Sequence, residues 1–290
     1  MSLRLKAPAK INLGLSILGR LANGYHQVKT IYTQISLFDL IEIDELKGEK
    51  IEIECDMKEM PTDEKNLVFQ AVEELRKVGG VRKGVRIKLK KEIPIGSGLG
   101  GGSADAAGML RGLNKFWKLG LSIEEMMEIA KKLGADVGYQ LVGGVKLEIQ
   151  GGEQAGEFED LGKLPECFMV VGVPEIKISS QQAYARVDYS KTGKNDLGLL
   201  VKAIKSRNLR KIAGSLHNDF EEFGLEDYPE VKEIKELMME EGALGSLMSG
   251  KGSGVFGVFE SKKKAEAAED KLRRICKNSY LVESYYLKGV

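Results

Sequence analysis

The chain has 290 residues, 42% hydrophobic and 30% charged, with 44 Lys and Arg set against 43 Asp and Glu for a formal net charge of +1. This length predicts two domains sharing one interface, and the even composition excludes a disordered or fibrous chain. The near balance of charge excludes a broad positive field for nucleic acid and points to a small-molecule partner.

The three cysteines, Cys55, Cys167 and Cys276, lie far apart and form no C-x-x-C pair. That pattern argues against a disulfide framework or a zinc site and predicts a reducing, cytoplasmic setting. With only two histidines, no metal-ligating set is expected from the side chains alone. The first residues, Ser2-Leu-Arg-Leu-Lys-Ala-Pro8, reach charge too soon for a signal peptide, and no apolar stretch approaches the roughly 20 residues of a membrane span. No membrane is expected as a partner, and nothing in the pattern asks for more than a monomer or a weak homodimer.

In chain order, residues 3–18 and 28–43 alternate apolar and polar side chains with the two-residue period of half-buried strands, and Asn23-Gly24 marks a turn between them. Thr62-Asp63-Glu64 opens a helix carrying Leu67, Val68, Ala71, Val72 and Leu75 on one face, stopped by Gly79-Gly80. Val85 to Lys90 reads as a strand feeding into Pro94 and a glycine run, after which a helix begins with Ser103 as its N-cap. Ser122 and Glu125 form a capping box for a second helix ended by Gly134, and Asp136 lies just beyond it. From about residue 155 the pattern becomes a strand (168–173), helices (180–187, 195–213, 229–241), strands near 246–249 and 254–259, a helix (261–274) and a last strand (280–287). The whole reads as α+β, cut in the Gly- and Glu-rich stretch 151–163 and without internal repeats.

The glycine run, Pro94-Ile-Gly-Ser-Gly-Leu-Gly-Gly-Gly-Ser-Ala-Asp105, formally satisfies the dinucleotide pattern at Gly96, Gly98 and Gly101. Pro94 interrupts the strand that pattern needs, and the acids about 20 residues on, Glu124 and Glu125, open a helix instead of ending a strand. Five glycines, Gly96, Gly98, Gly100, Gly101 and Gly102, let backbone amides approach an anion, and the following helix adds its positive end, so phosphate is the expected ligand. A second segment, Gly245 to Gly252, nearly matches a P-loop but puts Gly252 where a Ser or Thr should stand and runs into a strand, not a helix.

Pro8-Ala9-Lys10-Ile11-Asn12-Leu13-Gly14-Leu15, Gly24-Tyr25-His26, Pro94 to Ala107, Leu133-Gly-Ala-Asp136 and Ser249-Gly-Lys-Gly252 together resemble, in order, the motifs of the GHMP kinases. Pro-Ala-Lys-Ile-Asn-Leu followed by Gly-Tyr-His is most similar to the branch that acts on 4-diphosphocytidyl-2-C-methyl-D-erythritol. The resemblance implies an N-terminal ATP-binding domain like domain 2 of ribosomal protein S5, residues 1–155, and a C-terminal ferredoxin-like domain, residues 156–290. It also implies ATP as co-substrate, Mg2+ bound largely through phosphates and water, and a cytidyl diphosphate sugar alcohol as phosphoryl acceptor.

By the same resemblance Asp136 takes the hydroxyl proton and Lys10 orients that Asp and stabilises developing charge, roles that suit phosphoryl transfer to a poor alcohol nucleophile. Asn12, on the same face of the strand as Lys10, would hold the polar groups of the substrate. Tyr25 and Tyr184 would sandwich the cytosine while His26 bonds its edge. The ATP set is Asn66 near adenine with Pro94, Gly96, Gly98, Leu99, Gly100, Gly101, Gly102, Ser103 and Ala104, of which Ser103 supplies the hydroxyl. Asn218-Asp219 also fits the family pattern and receives no role. Three departures stand out: Ala104, Gly138 and Lys251. Lys251 reads either as added charge at the triphosphate or as a solvated loop lysine. Two alternatives stay open: a GHMP kinase for another alcohol such as homoserine or mevalonate, and a nucleotide-binding regulatory protein without turnover.

Overall fold

A computed structural model of the chain describes residues 2–22, 24, 26–151 and 156–287. They divide into two compact units, one of residues 1–9, 37–95 and 100–142, the other of residues 10–36, 96–99 and 143–290. These units are discontinuous and so divide the chain differently from a single cut at 155/156. The reason is that two long strands, β1 (Ser2–Arg20) and β2 (His26–Leu46), run through both.

The first unit adds β3 (Ile51–Cys55), α1 (Leu67–Gly79), β4 (Gly84–Lys90), α2 (Gly101–Phe116), α3 (Ile123–Leu133) and α4 (Ala135–Val142). Residues 40–46 of β2 pair antiparallel with β4, which pairs in parallel with β3. α2 lies close on this sheet because Gly108 and Gly112 face it: a methyl group at Gly112 would come within 2.4 Å of Leu5 Cδ1, and one at Gly108 within 3.2 Å of Ile41 Cδ1. α1 and α4 pack against α2 in turn.

Three expectations change here. α1 starts at Leu67, not at 62, because the Asn66 side chain accepts the Val68 N–H and makes Asn66 the cap. α2 starts two residues before Ser103, at Gly101, because Gly100 adopts a left-handed conformation (φ 72°) open to a residue without a side chain. α4 was not foreseen. Its eight residues, with Gly138 in the middle, carry too little propensity to be recognised, and Asp136 sits in its first turn, not in a loop.

The second unit adds β5 (Lys146–Gln150), β6 (Phe158–Asp160), β7 (Phe168–Val173), α5 (Ser180–Ala185), α6 (Gly198–Lys205), α7 (Leu209–Ala213), β8 (His217–Asn218) and α8 (Asp219–Gly224). A 3-10 turn (Leu225–Asp227) then leads to α9 (Pro229–Glu240), β9 (Gly245–Met248), β10 (Val255–Phe259), α10 (Lys262–Leu272), β11 (Asn278–Val282) and β12 (Ser284–Tyr285). The antiparallel sheet has the order β11-β7-β10-β9. With α9 and α10 as the connecting helices, this is the β-α-β-β-α-β ferredoxin-like arrangement. Val170, Ile234, Met238, Phe259, Ala265 and Leu272 are part of its buried core.

Two further differences have local causes. The helix expected over 195–213 is two, since Arg207 takes a left-handed φ of 52° and Asn208 caps a new start. The last strand is broken at Glu283. There the chain leaves β7 for β2, and the Glu283 backbone exchanges hydrogen bonds with Ser36.

Candidate active site

The half-buried pattern expected for β1 fails where it matters most. Residues Ala7 to Ser16 are all buried, so the polar face bearing Lys10 (4% exposed) and Asn12 (2%) is covered as well as the apolar one. Buried polar groups need partners, and these have them. Lys10 Nζ donates to Asn12 Oδ1 at 2.6 Å, and Asn12 Nδ2 donates to Thr30 Oγ1 at 2.8 Å. Thr30 Oγ1 in turn donates to the Gly14 carbonyl at 2.9 Å. The Lys10 ammonium also lies 5.6 Å from the centre of the Tyr32 ring.

Two glycine loops close on this face within the second unit. The Lys10 N–H donates to the Leu99 carbonyl at 2.9 Å, and the Gly254 N–H donates to the Ser97 carbonyl at 2.8 Å. Ser249 Oγ accepts from the Asn12 N–H (3.3 Å) and donates to the Gly98 carbonyl (3.0 Å). Gly98 (φ 78°) and Gly250 (φ 57°) are required where they stand. A Cβ on Gly98 would lie 2.2 Å from the Ser249 carbonyl oxygen, and one on Gly250 would lie 3.3 Å from Asn12 Oδ1 and 3.5 Å from Lys10 Nζ. Gly96, by contrast, faces open space.

Asn218, without a role in the sequence reading, holds the second loop. Its Nδ2 donates at 2.7 Å to both the Met248 and Gly250 carbonyls while Oδ1 accepts the Phe220 N–H. Asp219 fixes the same region to β1, accepting from the Ile17 N–H at 2.6 Å and from Ser16 Oγ. His217, Asp219 and Glu222 offer ligand atoms within 4.8 Å of one another. Both Asp219 oxygens are already engaged, one of them by His217 at 2.6 Å, so this group is a structural brace.

An aromatic group lies in the same unit. The His26 ring stacks on Tyr184 with centroids 3.8 Å apart and planes within 6°, and it is nearly parallel to Tyr189 at 5.8 Å. Phe220 meets Tyr184 edge-on at 5.0 Å. Tyr25 lies outside the described residues. His26 therefore covers a face of Tyr184. Burial, and then the charge of Arg20, hold its imidazole below the ordinary pKa.

In the first unit, Gly100 to Ala104 form the N-cap and first turn of α2, with Ser103 half-exposed. Gly101 is placed by packing, since a Cβ there would come within 3.0 Å of Ile93 Cγ2. Pro94 follows a segment anchored by Asp39, whose Oδ1 accepts the Glu92 N–H at 2.7 Å and the Ile93 N–H at 2.9 Å. Lys91 Nζ bridges Asp39 and Asp105, the latter at 2.5 Å, with all three side chains buried. Burial works against the Lys91 ammonium, but the two carboxylates outweigh it and raise its pKa. This trio ties the approach to the glycine loop to α2, and sequence alone offers no signal for it. Asn66, 3% exposed, spends its side chain on the α1 cap and on the Pro61 carbonyl. Asp136 is half-buried in the first turn of α4, the helix packed on α2, and Arg111 of α2 donates to the Gln140 and Leu141 carbonyls at the far end of α4.

Each unit carries features of the kind phosphotransferases use: the first a glycine run at the start of α2 and an acid in the first turn of α4, the second a buried lysine. Residues 66–145 match the GHMP kinases N terminal domain and residues 200–278 the GHMP kinases C terminal domain, and the chain belongs to this family. It is 38% identical over 283 residues, 97% of its own length and 96% of the relative's, to the 4-diphosphocytidyl-2-C-methyl-D-erythritol kinase of Alkaliphilus metalliredigens (strain QYMF). A crystal structure of 4-(cytidine 5'-diphospho)-2C-methyl-D-erythritol kinase superposes with a TM-score of 0.81 at 29% identity, covering 98% of this chain and all of that one (100%). Homoserine kinase from Cytophaga hutchinsonii shares the fold, with a TM-score of 0.76 at 19% identity over 98% of this chain and 94% of that one. Among the described residues no helix is long and apolar enough to cross a membrane.

Proposed function

We propose that the chain transfers the γ-phosphoryl group of ATP to the 2-hydroxyl of 4-diphosphocytidyl-2-C-methyl-D-erythritol, an isoprenoid precursor, in the cytoplasm. The observation that carries this reading is the near full-length likeness, at 38% identity, to a kinase named for that substrate. In the reaction the alcohol oxygen forms a bond to the γ-phosphorus as the bond to the β-phosphate oxygen breaks, ADP leaves, and the hydroxyl proton passes to Asp136. Lys10, buried and oriented by Asn12, stabilises charge on the phosphoryl oxygens, where a desolvated ammonium acts most strongly.

Gly96, Gly98, Leu99 and Gly100 to Ala104 form the phosphate cradle, with Pro94 leading into it and Asn66 on the adenine side. The His26 and Tyr184 rings, with Tyr25, make the cytosine site, and Asn12 holds the acceptor's polar end. The domains divide the work, residues 1–155 binding ATP and residues 156–290 completing the fold. Magnesium fits the donors present only as the ion of the nucleotide: Ser103 offers a half-exposed hydroxyl, while Asp105, two residues on, is buried against Lys91. The ion supplies charge neutralisation to the phosphates.

The test is ATP turnover with the cytidyl substrate compared with homoserine and mevalonate. ADP release with the cytidyl substrate alone is expected. Turnover of either small alcohol at a comparable kcat/KM would reassign the acceptor, and ATP binding without turnover of any alcohol would leave a regulatory protein.

A further inference from the structure

Lys251 is the departure in the second glycine loop, and its surroundings define a use for it. Its side chain is half-buried and helps line a small cavity with Ala183, Phe220 and Met248. Its ammonium donates to Ser180 Oγ at 3.1 Å. Ser180 and Tyr184 lie four residues apart on α5 and so on one face of it, which puts the hydroxyl that the ammonium meets one helical turn before the residue on whose ring His26 stacks. In the other direction its neighbour Gly250 closes on Lys10 and Asn12.

A neutral hydroxyl does not balance a half-buried positive charge, and among the described residues no carboxylate lies within 4.0 Å of the Lys251 ammonium. Burial, and then repulsion from Lys10, hold its pKa below that of an ordinary lysine. An anion placed here would offset both effects. Lys251 is thus linked through Ser180 to the helix of the aromatic stack and through its neighbour Gly250 to Lys10, the groups proposed for the base and the polyol of the acceptor.

Resting on the function proposed above, we infer that Lys251 binds the diphosphate of the cytidyl substrate, and so is a specificity residue for a nucleoside diphosphate-linked acceptor and not a ligand of the ATP triphosphate. An ammonium has three donors and the hydroxyl of Ser180 uses one, leaving two for phosphate oxygens.

The test measures binding of cytidine and of CDP by calorimetry, and KM for the cytidyl substrate and for ATP, in the unaltered chain, Lys251→Met and Lys251→Arg. The expected result is a loss of CDP affinity of about tenfold to a hundredfold in Lys251→Met, with cytidine affinity within about twofold, as befits one charged hydrogen-bonding group. Lys251→Arg should keep most of the preference for CDP. KM for the cytidyl substrate should rise in Lys251→Met while KM for ATP holds. Equal losses for cytidine and CDP would show that Lys251 only props α5, and a rise in KM for ATP alone would move it to the triphosphate; either result overturns the inference. If the unaltered chain binds neither cytidine nor CDP, the cytidyl reading itself fails and takes this inference with it.

Discussion

Lys10 and Asn12 leave β1 two positions apart, and the lysine ammonium donates a 2.6 Å hydrogen bond to the asparagine Oδ1. The pair is buried, so the lysine is held in one direction by a partner that is itself held by Thr30 and Ser249. In the proposed mechanism, a charge fixed in this way does not have to reorganise when phosphoryl charge develops beside it, which is the condition for strong electrostatic catalysis.

Asp136→Asn keeps the shape of the first turn of α4 and removes the proposed proton acceptor. Turnover is expected to fall by about 10²–10⁴-fold, the usual contribution of a general base, with ATP affinity nearly unchanged. Steady-state kinetics with a parallel nucleotide-binding titration checks this. Turnover close to that of the unaltered chain would remove Asp136 from the mechanism.

Asn218→Ala deletes both hydrogen bonds to the Met248 and Gly250 carbonyls and leaves these groups in a buried setting. A loss of roughly 2–5 kcal/mol is expected from the unpaired groups, together with a lower kcat/KM, because the loop they belong to is bonded to Asn12 through Ser249. Urea unfolding and kinetics measure the two effects. A variant as stable and as active as the parent would mean that the loop holds itself.

Gly98→Ala and Gly96→Ala separate two reasons for glycine. Both positions have positive φ, which costs about 1–2 kcal/mol for any other residue, but only Gly98 faces a backbone oxygen, at 2.2 Å from the added methyl. Gly98→Ala should therefore lose clearly more stability than Gly96→Ala in parallel denaturant melts. Equal losses would show that backbone conformation alone demands glycine in this loop.

The buried trio of Lys91, Asp39 and Asp105 should be visible in the pH dependence of stability. Burial pushes the Asp105 carboxyl up to about 7 from an ordinary 3.8, Lys91 opposing and Asp39 assisting. Between about pH 4 and 7 the folded chain then holds one proton that the unfolded chain has released, so stability falls as pH rises through that window. Asp105→Asn has no such proton. The stability of the unaltered chain relative to this variant is expected to decline from about pH 4.5 to 7.5 in urea titrations, and a constant difference would place the Asp105 pKa near its ordinary value.

Much of the local structure was legible beforehand, because it depends on neighbours in sequence. The Ser122 and Glu125 capping box is present as read, and the strand over 85–90 lies where its alternation placed it. The shared face of Lys10 and Asn12 follows from the two-residue period of a strand. What periodicity could not report was depth: the polar face of β1 was read as half-exposed and is buried, since the groups that cover it come from distant segments.

By itself, then, the sequence determined most of the elements, the place of the glycine run and the family to which its ordered motifs belong. Tertiary structure alone decided that Asn218 clasps the second loop, that Ser249 links Asn12 to Gly98, that Lys91 joins Asp39 to Asp105, and that Lys251 reaches the helix of Tyr184. Asn12 and Ser249 stand 237 positions apart, and no helical or strand period spans such a distance. These contacts exist because packing brings buried polar atoms to partners they must find.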